Sequence, residues 1–255
     1  MNHKVLNCKD SFEIIFNKLK KGKSFSFVRF GDGDHFIMYK ESLGKIIGSG
    51  NQFFVTERLQ EEIIECYNIQ DENFLISTIL NDFSSHYMAK FISQANHSKL
   101  PKELIERKEM LVPICLFETF IIDLRRFIEF SQELRKTSTM FVCNYNHENI
   151  SKVYGNVKVF IEISVQNCYS NIEYWYQEIL KNIDKVDKII LSAGFAGRVI
   201  AKRLWKSNIK KVVLDVGSLS DAFIFQTDIR GKIKGRKFMK KIEKEINRNT
   251  NILLG

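Results

Sequence analysis

Apolar residues along this chain change their spacing again and again. From Ser11 to Lys20 they recur at helical intervals, with Phe12, Ile15, Phe16 and Leu19 on one face. Ser24 to Phe30 is then a short apolar run of strand length. The same alternation predicts helices over His35–Glu41, Glu57–Tyr67, Ser84–Gln94, Phe120–Leu134, Glu148–Tyr154, Asn171–Asn182 and Gly197–Lys206. It predicts strands over Asn73–Ile79, Leu111–Ile114, Thr139–Cys143, Val157–Ile163, Lys188–Ser192 and Lys211–Asp215. Between the first two long helices, KIIGSGNQFF reads as a strand or hairpin turning at Gly48 and Gly50. Strands separated by helices imply an α/β fold: a doubly wound, mostly parallel sheet with helices on both faces. Ligands of such sheets bind beyond the carboxyl ends of the strands.

Composition narrows the class. The 255 residues are 44% hydrophobic and 27% charged, as in an ordinary globular chain. Two prolines, no repeat and no low-complexity stretch predict one continuous domain over residues 1–229. Five cysteines with no CxxC pair predict a reducing, cytoplasmic setting. The histidines form neither HExxH nor HxH, so no histidine-built metal site is readable. The N-terminal stretch has no signal-peptide apolar core, and no window approaches the ~18 apolar residues of a membrane span.

The net charge of +9 is concentrated at one place. Residues 230–248 hold nine Lys/Arg against two Glu, leaving the rest nearly neutral. That distribution, with no RNA-binding aromatic motif, argues against a nucleic-acid partner. Phe238, Ile242 and Ile246 recur at helical spacing, so residues 230–255 read as a basic amphipathic helix or tail. Such a segment suits peripheral contact with an anionic membrane, and it equally suits a terminal helix packed on the body.

Polar residues follow four strands: Gly31–Asp34, Asn144–His147, Gln166–Tyr169 and Ser192–Gly197, with Asp215–Ser218 closing the last. In the first loop, glycines beside Asp32 and Asp34 let two carboxylates face one point, as a hard cation such as Mg²⁺ or Mn²⁺ requires. Arg29, just upstream, offers a fork for phosphate or carboxylate. The same residues also suit a plain turn, with Asp34 capping the next helix. SAGFAG, residues 192–197, resembles a dinucleotide fingerprint with Ser192 in place of the first glycine. Asp215 lies 21 residues after Gly194, where a ribose-binding acid sits in such folds. Gly194 and Gly197 also suit tight strand-to-helix packing.

VRFGDGD at the head of a helix resembles the N-terminal signature of the GT-D-type glycosyltransferases, a bacterial family that reads RFGDGE there. ILSAGFAGRVIAKRLW, then VVLDVGSLSD, resembles the family's later pattern of glycine turn, helix and strand ending Asp-x-Gly, with a second acid at Asp221. VFIEISVQNCYSNIEYWYQEIL resembles its strand, Asn-containing loop and helix. The resemblance spans roughly residues 10–225.

The resemblance implies a Rossmann-like, GT-D-like fold. It implies a metal-dependent transferase moving a sugar from a nucleotide-sugar, usually a UDP-sugar, to a glycan acceptor in surface polysaccharide or glycoprotein synthesis. Asp32 and Asp34 would hold Mn²⁺ or Mg²⁺ on the diphosphate, and Arg29 would neutralise charge or orient the acids. Ser192, Gly194, Gly197 and Asn167 would contact nucleotide or sugar. A lipid-linked acceptor would account for the basic tail. Asp34 replaces the family's Glu and is one methylene shorter, and Ser218 stands where some members carry His. The alternative is a Rossmann-like enzyme binding a nicotinamide or nucleoside cofactor through SAGFAG and Asp215. That reading leaves GDGD unexplained.

Overall fold

Six strands align in one direction to form the centre of the molecule. A computed structural model describes residues 4–38, 44–48, 51–78, 109–164, 168–225 and 237–255. Its main sheet contains β2 (Phe25–Phe30), β5 (Phe74–Thr78), β7 (Thr139–Cys143), β8 (Val157–Glu162), β9 (Lys188–Leu191) and β10 (Val212–Asp215). The spatial order is β5-β2-β10-β9-β7-β8, and every pairing is parallel. β1 (Lys4–Val5) pairs in parallel with β6 (Glu109–Met110). β3 (Gly44–Gly48) and β4 (Asn51–Val55) form the expected antiparallel hairpin, with Gly48 opposite Asn51.

Alternating side chains divide the core in two, because successive residues of a strand point to opposite faces. Val28 and Phe30 of β2, Met140 and Val142 of β7, and Ile189 and Leu191 of β9 face one layer. Against them pack Leu59 and Ile63 of the Glu57–Tyr67 helix, Ile179 of the Ile172–Asn182 helix and Val199 and Ile200 of the Gly194–Lys206 helix. Phe25, Phe27, Phe141 and Ile190 face the other layer, under Phe12, Ile15 and Phe16 of the Cys8–Lys20 helix and under Phe127 and Phe130. Both sheet faces are thus covered, as parallel sheets require.

Local chemistry sets several boundaries. The first helix starts at Cys8, three residues earlier than expected, because the Asn7 side chain accepts the Asp10 N–H at 2.8 Å. The Glu57–Tyr67 helix is capped by Thr56, whose hydroxyl accepts the Leu59 N–H at 3.1 Å. The strand expected over Leu111–Ile114 is absent. Strand pairing runs over Glu109–Met110 and ends in an isolated Ser77–Leu111 bridge, and Pro113, with no N–H to donate, precedes a helix at Cys115. The single helix expected over Phe120–Leu134 is two, Cys115–Ile122 and Leu124–Arg135. Asp123 leaves helical geometry at φ −136° and ψ 67° and caps the second by accepting the Arg126 N–H. The helix expected over Ser84–Gln94 lies outside the described residues.

Lys237–Leu254 is an 18-residue helix. Ile246, the last member of the apolar stripe, is fully buried in the second core layer. Asn249 donates to the carbonyls of Phe120 and Ile121 at 2.8 Å each, satisfying acceptors at the end of the Cys115–Ile122 helix. Thr250 donates to Ala222 O. The side chains of Phe238 and Ile242 lie outside the described set, while Lys240, Lys241, Lys244 and Arg248 are exposed. No helix of the described residues is long and apolar enough to cross a membrane.

Directly after the β2 turn, His35 is buried with its Nε2 2.9 Å from the Thr78 hydroxyl. Burial pushes its pKa down to about 4 from an ordinary 6.5. The unfolded chain therefore takes up the proton first. His35 contributes fully above pH ~6.5, and its contribution falls as pH drops toward 4, by up to about 3 kcal/mol. Denaturant melts of wild type and His35→Gln at pH 7.0, 5.5 and 4.5 test this: the variant loses less stability on acidification. Equal pH slopes in the two proteins would assign the acid sensitivity elsewhere.

Candidate functional site

Strand order decides which loops meet. β2, β10 and β9 are neighbours and parallel, so the segments that leave their carboxyl ends, from Gly31, Val216 and Ser192, lie side by side. They are joined by charged groups. Arg29, near the end of β2, donates its main-chain N–H to Asp215 Oδ2 at 3.2 Å and its Nη1 to Val216 O at 2.6 Å. Asp215, the last residue of β10, is fully buried, and its Oδ1 accepts the Gly217 N–H at 3.1 Å. Ser192 donates its hydroxyl to Gly217 O at 2.7 Å, tying the β9 loop to the β10 loop.

Asp34 comes from the Asp32–Met38 helix and is 2% exposed. Its Oδ2 accepts the Gly31 N–H at 2.8 Å, which closes the turn on itself. The same oxygen meets Arg198 Nη2 at 3.0 Å. Arg198 Nη1 lies 3.3 Å from Asp215 Oδ2 and 2.5 Å from the Gly194 carbonyl. One guanidinium thus bridges the acid after β2 and the acid ending β10, and returns to the start of its own helix. Burial works against its charge, but Asp215 and Asp34 more than offset that and hold its pKa above the ordinary value.

Three glycines sit here in different surroundings. A Cβ on Gly33 would stand 2.9 Å from the Phe195 ring, so the two motif loops touch directly. Gly217 has φ +52°, and a Cβ there would collide with the Arg29 guanidinium. Gly194 has φ +51°, yet among the described residues nothing lies within 4 Å of the position a Cβ would take. Its need is conformational. At Gly197 a Cβ would meet only ordinary contacts at 3.7 Å, so packing does not demand glycine there. The Gly194–Lys206 helix begins after Ala193, which supplies no side-chain cap for its first N–H groups.

Of the predicted site residues, Arg29, Asp34, Ser192, Gly194 and Asp215 come together. Asn167 and the Asp32 side chain lie outside the described residues. Asp34 and Asp215, expected to face a ligand, are directed into the interior as they stand. For a divalent cation this matters: Asp34 Oδ2 is already held by a main-chain donor and a guanidinium. Among the described residues no cluster of three His, Cys, Asp or Glu is arranged to hold a metal. A cation shared with a diphosphate needs only one or two protein carboxylates.

Two neighbouring loops add polar groups. Tyr145, after β7, donates its hydroxyl to Asp221 of the Leu219–Phe225 helix. His147 is a helix cap, with Nδ1 accepting the Asn149 N–H at 3.1 Å. Cys143 has its thiol pushed up to about 11 by burial, which rules out a ready nucleophile at neutral pH. On the flank, Glu62 holds Arg203 at 2.6 Å and Lys202 at 3.1 Å, fixing the Glu57–Tyr67 helix to the glycine-turn helix.

Sequence reasoning missed Arg198. The available signal was its position: a cation in the first two turns of a helix opposes the macrodipole, so it calls for acidic partners. Replacing Arg198 with Met should cost about 3–5 kcal/mol, because it strands two buried carboxylates. Arg198→Lys should recover only part of that, since an ammonium cannot span both acids with a planar fork. Urea unfolding of the three proteins checks the ordering; a Lys variant as stable as wild type would refute the bridging role.

A search of curated proteins gives no match. Solved structures do match. One described as a new glycosyltransferase of domain of unknown function 1792, from Streptococcus sanguinis, aligns at TM-score 0.61 and 18% identity, covering 88% of this chain and 85% of that one. Another, described as showing that the same domain has a distinct glycosyltransferase fold, aligns at TM-score 0.63 and 15% identity over 88% and 82%. A selenomethionine-substituted structure of that domain gives 0.63 and 16% over 85% and 79%. At these identities the likeness establishes the fold. The family model described as a GT-D fold-like domain matches residues 6–223, and the chain belongs to that family.

Proposed function

We propose that this protein is a glycosyltransferase that takes its sugar from a nucleotide-sugar donor, a UDP-sugar in the first instance, bound in the crevice above β2, β10 and β9. The observation that carries the reading is the Arg198 bridge. It holds the two loops of the family-like signature and the glycine turn in one fixed arrangement at the carboxyl edge of a GT-D-like sheet. The alternative of a nicotinamide- or nucleoside-cofactor enzyme needs Asp215 free for a ribose. Asp215 is instead wholly buried and committed to Arg198 and to the Gly217 and Arg29 N–H groups.

In this reading each group has a separate task. The N-terminus of the Gly194–Lys206 helix, beside Gly194, receives phosphate oxygens. Asp32 holds Mn²⁺ or Mg²⁺, which when bound stabilises the charge developing on a diphosphate leaving group. Asp34 and Asp215 keep the loops in place through Arg198, and Arg29 pins the β10 loop. Ser192 fixes the turn between them. A glycan acceptor enters from the open edge.

The test separates these tasks. UDP or a UDP-sugar should raise the melting temperature only with Mn²⁺ or Mg²⁺. Asp32→Asn should abolish the rise at near-normal intrinsic stability. Asp34→Asn should lower intrinsic stability itself, by about 2–4 kcal/mol, because it weakens a buried ion pair. Equal nucleotide stabilisation of wild type and Asp32→Asn in chelator would sink the metal assignment.

The acceptor side carries a second expectation. A lipid-linked glycan is presented at an anionic bilayer, and Lys240, Lys241, Lys244 and Arg248 are exposed on a helix whose Ile246 packs inward. The contact is therefore electrostatic, with roughly 1 kcal/mol per basic residue near the surface. The protein should co-sediment with anionic vesicles at low salt and release at high salt. Lys240→Glu with Lys244→Glu should abolish binding while leaving nucleotide stabilisation intact; retention of the vesicles by this variant would exclude the helix as the contact.

A further inference from the structure

β8 ends the main sheet, and among the described residues its one strand neighbour is β7. The direction of its main-chain groups follows from one hydrogen bond. Ile163 N–H donates to Cys143 O at 2.9 Å, so Ile163 and Ile161 turn their polar groups toward β7. Phe160 and Glu162, of opposite parity, turn theirs to the open side. A register shift sets Val157 and Lys158 together near Thr139, which ends regular pairing on that side. Beside the strand runs a groove of about 480 Å³ between β8 and the Ile172–Asn182 helix, with Tyr174 and Trp175 on its far wall. Tyr174 is 59% exposed, and the Trp175 indole N–H is buried with no hydrogen-bond partner among the described residues.

An edge strand, outward main-chain groups and an aromatic groove make a site for an added strand. The charges on β8 say which strand. Lys158 and Glu162 are both exposed and lie two residues either side of Phe160. Laid antiparallel on itself with the two-fold axis at Phe160, β8 sets Lys158 of one copy against Glu162 of the other, twice. The same register sets Phe160 opposite Phe160, and these outward-facing residues are the ones able to exchange N–H···O bonds. Moving the axis by one residue sets Glu162 against Phe160 and loses both ion pairs.

We propose that β8 is a homodimer interface: two copies pair antiparallel through Phe160 and Glu162, continue the sheet across a two-fold axis, and lock the register with reciprocal Lys158–Glu162 pairs. The interface is isologous, so it closes at two copies and does not propagate. It lies at the far end of the sheet from β2, and the candidate site does not depend on it.

Sedimentation velocity of the full chain over micromolar to sub-millimolar concentrations should show mass rising from 29.9 kDa to twice that value. Lys158→Glu alone and Glu162→Lys alone each place like charges in opposition twice, and each should weaken the dimer by about tenfold or more. An equimolar mixture of the two single variants should dimerise again. Between unlike chains the two substituted side chains meet at one end of the strand pair and the two native ones at the other, and both meetings join opposite charges. The double variant Lys158→Glu with Glu162→Lys should dimerise by itself. Concentration-dependent slowing of amide exchange confined to 157–163 gives an independent reading. Wild type that stays at 29.9 kDa throughout, single variants that dimerise like wild type, or a mixture that stays monomeric would each overturn the proposal.

Discussion

One guanidinium between two buried carboxylates holds the functional edge together. Arg198 reaches Asp34 at 3.0 Å and Asp215 at 3.3 Å, and all three side chains are nearly or wholly out of water. Desolvating such groups costs several kcal/mol per ion, so the arrangement persists only while the partners stay matched in geometry. That makes it a constraint as much as a source of stability. Asp34 can move only with Gly31, whose N–H it accepts, and Asp215 only with Arg29 and Gly217. Three loops that belong to distant parts of the sequence therefore behave as one body.

The glycines follow from that body. With Asp34 drawn inward, the turn lies low enough for Phe195 to rest on Gly33. With Arg29 folded over the β10 loop, no side chain fits on Gly217. Gly194 differs, because its left-handed backbone is the way the chain enters the helix that carries Arg198, and no atom of the described residues crowds it. A motif that looks like a uniform glycine-rich phosphate cradle is thus divided. Gly33 and Gly217 are crowded by side chains of the protein itself, and among the described residues Gly194 is not.

Much of the architecture was legible in the sequence because its signals are local. The short apolar runs of Ser24–Phe30 and Thr139–Cys143, and the helical spacing over Ser11–Lys20, mark buried elements without knowledge of the partner. Where a boundary depends on one side chain it was blurred. Asp123 breaks a continuous apolar run because it caps the next helix, and Asn7 starts a helix early for the same reason. The site was legible as loops and illegible as contacts. The Asp-Gly-Asp spacing suggests that both acids face a cation, but the burial of Asp34 is decided by Arg198, 164 residues away. No spacing rule spans that distance, and only the strand order β2-β10-β9 brings the two together.

Charge balance gives the arrangement its chemical direction. Arg29 and Arg198 carry two positive charges, and Asp34 and Asp215 carry two negative ones. Among the described residues these four charges balance. On the proposed reading, a nucleoside diphosphate at this edge would be drawn to the N-terminus of the Gly194–Lys206 helix. A divalent cation at Asp32, as proposed, would add positive charge without disturbing the buried pairs. A protein whose network carried a spare positive charge would bind the diphosphate without a cation. Here the two described arginines of this edge are matched by buried acids, which is why the proposed function calls for a cation.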